Sequence, residues 1–198
     1  MSARRPGPPS RARRRPVRAR RALARSARGP HAVHARGDRA VVCAVLTVSD
    51  TRRGGSDESG ALAEQLLERA GHRVVARGWS PDQVASLRRT ARALLARREL
   101  DALIVTGGTG VAPRDVTPEA FAPLWERRLP GFGELFRVFS VSEVGAAAWL
   151  SRAEAGIVRG RLVALLPGSR AAVRLALEQV LLPELAHVIR TLGRFRTT

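Results

Sequence analysis

Lysine is absent from this 198-residue chain, so its 35 basic residues are all arginines, set against 17 acidic ones. That absence excludes a GxxxxGK[ST] phosphate loop, whose lysine reaches the terminal phosphates. Cysteine occurs once, at Cys43, which rules out an intramolecular disulfide framework and fits a reducing compartment. Lying in an apolar run, that thiol reads as buried and inert. No apolar stretch approaches the ~20 residues that span a bilayer, and no continuous apolar segment follows the first arginines. A soluble, unexported, cytoplasmic protein without membrane contact is expected.

The charge is unevenly placed. Residues 1–39 hold 13 arginines and one acid, Asp38, and so carry +12 of the formal +18. Rich in Arg, Pro, Ala and Gly and without a periodic apolar face, this segment is expected to be a disordered tail. An arginine arm could neutralise phosphates, but no aromatics are interleaved for base stacking, so nucleic acid is not the expected partner. Residues 40–198 are expected to form one domain.

In that domain "VVCAVLTVS" reads as a buried central strand. "ESGALAEQLLERAG" places Leu62, Leu66 and Leu67 on one helical face, with Ser59 as N-cap and Gly71 as stop. "HRVVARGWS" is a second strand, "QVASLRRTARALLARR" a second amphipathic helix, "DALIVT" a third strand and "RLVALLP" the last clear one. A helical stretch falls near Pro118 to Glu126, and a longer one after Gly168 is interrupted at Pro183. The alternation predicts a three-layer α/β/α sandwich with a mainly parallel central sheet.

Ligands of such sheets bind at the carboxyl ends of the strands. Four polar loops are expected there: "SDTRRGG", "SPDQ", "TGGTG" and "PGSR". Gly107, Gly108 and Gly110 permit close backbone approach to an anion, Thr106 and Thr109 add hydroxyls, and Ser169 can cap a helix whose N-terminus favours negative charge. "TGGTG" alone is equally a strand-to-helix turn. Asp82 and Asp115 are placed to hold Mg2+ against phosphate oxygens, although both also read as helix-start residues. The histidines at 31, 34, 72 and 187 are too scattered for a metal site, and Trp79, Trp125 and Trp149 read as core or interface aromatics.

In joint order and spacing, "TVSDTR", "DESG", "PD" at 81–82, "TGGTGVAPRDVTPEA", "PGFGELFR", "LSRAEAG" and "LPGS" resemble the MoaB/Mog family of molybdopterin-binding proteins, related to the gephyrin G domain. The resemblance covers roughly residues 41–190 and implies a molybdopterin ligand, homotrimers or homohexamers, and other enzymes of molybdenum cofactor biosynthesis as partners. In the active branch it implies Mg-dependent adenylylation of molybdopterin by ATP. By motif, Asp82 and Asp115 match the two aspartates that reaction needs, and Thr106 to Gly110 the phosphate loop. Ser49 and Asp50 match the first-strand loop, Ser140, Ser151 and Arg152 the pterin side, and Pro167, Gly168 and Ser169 the last loop. The stretch "GFGELFRVFSVSEVGAAAWLSRAEAG" is closer to the MoaB-type branch, in which hexamers and a binding or scaffold role are expected, whereas Asp82 and Asp115 favour an enzyme.

Overall fold

A computed structural model describes residues 39–51 and 56–194. Residues 1–38 of the expected disordered tail and the arginine-glycine part of the first loop, at 52–55, lie outside the described residues. The sheet has six strands in the order β2-β1-β3-β6-β5-β4. These are β1 (Val42–Val48), β2 (Arg73–Ser80), β3 (Ala102–Thr106), β4 (Arg127–Arg128), β5 (Glu154–Val158) and β6 (Arg161–Leu166). The first three and β6 are mutually parallel, whereas β5 runs antiparallel to β6 and β4 antiparallel to β5.

Every residue of β1 and β3 is buried, because helices cover both faces of the sheet. Alternate side chains separate two cores. Cys43, Val45 and Ile104 face α1 (Glu58–Arg69), α4 (Pro130–Val144) and the C-terminal helices, packing on Leu62, Phe136 and Leu185. Ala44, Leu46, Leu103 and Val105 face α2 (Val84–Leu95) and α3 (Thr117–Phe121), packing on Leu87, Leu95 and Phe121. Strands buried on both faces must be apolar at every position, which is why β1 shows no polar alternation. The arrangement is the expected three-layer sandwich.

Local caps depart from expectation at one helix. Asp57, not Ser59, caps α1: its carboxylate accepts from the Gly60 amide at 2.8 Å, while Ser59 lies inside the first turn. Asp57 also takes a hydrogen bond from Thr47 Oγ1 at 2.7 Å and an ion pair from Arg77 at 2.6 Å, so the cap is tied to both β1 and β2. Ser169 does cap α5 (Arg170–Leu175), accepting from the Ala172 amide. That helix widens into a π-turn over Ala176–Leu181 before the break at Pro183, and α6 (Leu185–Thr191) follows.

At the amino end of β3, Asp101 is 1% exposed and accepts from the Val42 amide at 3.0 Å, from Arg194 Nε at 3.0 Å and from Arg39 at 3.1 Å. It pins both ends of the described domain to the sheet. Burial, then the Asp101 charge, pushes the nearby Cys43 thiol up to about 12, so it stays protonated and inert. No helix among the described residues is long and apolar enough to cross a membrane.

Candidate functional site

From β1 the chain turns outward to β2, and from β3 it goes the other way toward β6. Loops leaving adjacent strands in opposite directions open a crevice between their carboxyl ends. A cavity of about 290 Å³ lies there, lined by Thr47 to Thr51, Asp57, Ser59, Asp82, Thr106 to Gly108, Arg114, Asp115, Gly168 and Ser169. All four loops named from the sequence contribute.

Each wall has a local cause. The Ser49 amide continues the β1–β2 pairing by donating to Ser80 O at 3.0 Å, and Trp79 Nε1 donates to Ser49 O at 2.9 Å, which fixes the first loop at its root. Asp50 then accepts from the Asp82 amide at 3.0 Å, joining the loops after β1 and β2. Gly107 has φ +107°, and a Cβ there would collide with Val48 O, so only glycine lets β3 end this close to β1. Thr117 Oγ1 closes the turn on Gly107 O at 2.8 Å, and its amide donates to Gly108 O at 3.0 Å. Backbone without side-chain cover therefore lines the cavity at 107–108. Opposite, Ser59 Oγ donates to Gly168 O at 2.7 Å, holding the last loop against α1.

The electrostatics are unbalanced. Asp57 is neutralised by Arg77, but Asp50, Asp82 and Asp115 share the cavity, among the described residues, with one guanidinium, that of Arg114. Burial pushes the Asp82 carboxyl above its ordinary range, and the neighbouring charge of Asp50 adds to the effect. Among the described residues no three His, Cys, Asp or Glu side chains converge closely enough to hold a metal ion alone. The donors are hard carboxylate oxygens, which fits Mg2+ completed by phosphate and water oxygens better than a transition metal.

Of the residues expected from the sequence, Ser49, Asp50, Asp82, Thr106, Gly107, Gly108, Asp115, Gly168 and Ser169 meet in this cavity. The others lie elsewhere. Thr109 is buried, and Gly110 is packed under Asp115, whose Oδ2 sits 2.6 Å from where a Cβ would be. Pro167 contributes a carbonyl that accepts from Thr106 Oγ1 at 3.2 Å. Ser140 Oγ donates to Phe136 O one helical turn back, at 2.7 Å. Ser151 Oγ accepts from the Ala153 amide, and Arg152 grips the 109–119 segment. Arg152 instead lines a second cavity, of about 440 Å³, with Glu119, Arg128, Arg137 and Glu154 between α4 and β5. Six lining residues were not among those expected: Thr47, Val48, Thr51, Asp57, Ser59 and Arg114. Asp57 three residues before Gly60, at the end of a loop, carried a capping signal that Ser59 obscured.

Together, a doubly wound α/β sheet and a glycine-edged, carboxylate-bearing crevice at its switch point define a domain suited to phosphorylated ligands. Residues 44–187 match the family described as "Probable molybdopterin binding domain". "Molybdenum cofactor biosynthesis protein B" of Bacillus subtilis (strain 168) is 46% identical over 155 residues, covering 78% of this chain and 91% of that protein. The crystal structure of a molybdenum cofactor biosynthesis protein B is 40% identical, with TM-score 0.77 over 79% of this chain and 98% of its own. The tungsten cofactor synthesizing protein MoaB from Pyrococcus furiosus is 35% identical, with TM-score 0.70 over 77% and 97%. The chain belongs to the MoaB/Mog family of molybdopterin-binding proteins. These relatives support a role in molybdenum cofactor biosynthesis.

Proposed function

We propose that this protein adenylylates molybdopterin, with ATP as co-substrate and Mg2+ as the cation that the carboxylates would hold. The observation that carries this reading is the cluster of Asp50, Asp82 and Asp115 beside the bare backbone of Gly107 and Gly108, with Arg114 the one guanidinium that lines the cavity among the described residues. An anion cradle filled with carboxylates is self-defeating unless a cation joins it. When bound, Mg2+ would supply charge neutralisation for the triphosphate. Asp82 and Asp115 are the residues to hold it, and the glycine backbone and the Ser169-capped end of α5 would hold phosphate oxygens. An oxygen of the molybdopterin phosphate attacks the α-phosphorus, the bond to the bridging oxygen breaks, and pyrophosphate leaves. The protein's part is alignment and charge placement, without a covalent intermediate on the chain.

The same reading includes assembly into a homotrimer or homohexamer. Leu135, Val138, Val141 and Val144 on α4 are each at least 50% exposed, and Trp149 is 73% exposed. An apolar stripe of that extent on a biosynthetic domain fits a contact with further copies of the chain.

One observation favours a second reading, in which the protein binds molybdopterin and passes it to other enzymes of the pathway without reacting it. Asp115 Oδ2 accepts from the Ala112 amide at 2.9 Å, as a turn-holding carboxylate would. Purified protein incubated with molybdopterin, ATP and Mg2+ and analysed by mass spectrometry separates the two. Adenylylated molybdopterin is expected. Its absence, where an active relative forms it under the same conditions, leaves the binding role.

A further inference from the structure

Between β3 and α3 the chain crosses an open stretch in which residues 111–114 are all exposed, with little apolar packing to order them. Its two ends are closed on each other by Thr117. The middle is held by a residue 33 or more positions away: Arg152 donates from its amide to Thr109 O at 2.9 Å, from Nε to Gly110 O at 2.8 Å and from Nη2 to Asp115 O at 2.6 Å. Its Nη1 pairs with the Glu119 carboxylate. Against the burial that raises it, the Arg152 hydrogen bond leaves that carboxyl below its ordinary range.

Arg152 does not line the crevice that holds Asp115. We infer that Arg152 is a positioning residue, whose planar fork spans two carbonyls five residues apart and thereby fixes where the Asp115 carboxylate meets the ligand. The inference rests on the proposed role of Asp115. A guanidinium suits the task because its donors diverge in one plane, whereas an ammonium is a single point charge. Gly110 belongs to the same device, since the Asp115 carboxylate occupies the space of its missing side chain.

Amide hydrogen exchange on the full chain, with Mg2+ titrated at saturating ATP, tests this. In Arg152→Gln, exchange across 109–116 should rise about tenfold or more while β3 and β6 stay protected, and half-saturating Mg2+ should rise about tenfold. Arg152→Lys should recover part of both, and Glu119→Gln, which leaves the carbonyl fork intact, should stay near wild type. Unchanged local exchange, a uniform rise that includes β3 and β6, a local rise with unchanged Mg2+ dependence, or an equal effect of Glu119→Gln overturns the inference. If Arg152→Gln does not fold, Arg152→Lys decides by the same criteria. If the wild type binds no ATP, the proposed function fails, and exchange alone decides this inference.

Discussion

Aspartates sit under opposite regimes at the two ends of the parallel strands. At the amino end, Asp101 is buried and fully matched, by two guanidiniums and a backbone amide. At the carboxyl ends of the parallel strands, Asp50, Asp82 and Asp115 share a polar cavity with one arginine among the described residues, and burial together with like charge raises the Asp82 carboxyl. A carboxylate matched by cations holds the fold together, whereas carboxylates crowded against one another cost stability and persist where a ligand completes them. The contrast separates structure from function using one residue type at opposite ends of one sheet.

The comparison can be broken most forcefully at the structural end. Asp101→Ala leaves the buried Val42 amide without its acceptor and releases Arg39 and Arg194, so it should cost about 3 kcal/mol in urea unfolding with ligand affinity per folded molecule unchanged. At the functional end, Gly107→Ala forces a Cβ against Val48 O at positive φ and should cost about 1–3 kcal/mol while also weakening ATP binding, measured by calorimetry. Val138→Asp, remote from both ends, should lower the assembly state seen by light scattering without altering the exchange protection of β3.

The smallest effect sharpens the contrast by its sign. Because the folded Asp82 carboxyl sits above its ordinary value of 3.8, the folded state holds the proton more tightly than the unfolded state. Stability from this group is therefore present below 3.8 and lost as pH rises through the folded value. Asp82→Asn should then raise Tm slightly at pH 7, and the gain should vanish as the pH falls through the carboxylate range. Asp101→Asn should lower Tm at pH 7 instead.

Much of this was legible in the sequence, for physical reasons. β1, β3 and β6 are apolar at nearly every position because both faces are covered, and the punctuation after them marked the loops that meet in the crevice. The strands β4 and β5 were not legible, although the other edge strand, β2, was. β4 is two exposed arginines, and β5 contains Gly156, whose place is dictated by Trp125 and Arg127 O pressing on it from a neighbouring segment. Pro130 and two glycines obscured α4, although proline at the first helical position favours a start there. Arg152 shows the limit most clearly. Motif position placed it with the ligand, while its partners at 110, 115 and 119 are set only by the folded chain.

The most direct measurement is the initial rate of pyrophosphate release from ATP and Mg2+ in the presence of molybdopterin, for wild type and Asp82→Asn at equal folded concentration. A fall of about a hundredfold or more, with the variant at least as stable as wild type, is the predicted result. A wild-type rate that does not depend on Mg2+, or an Asp82→Asn rate within twofold of it, would contradict the assignment of the unbalanced carboxylates to catalysis.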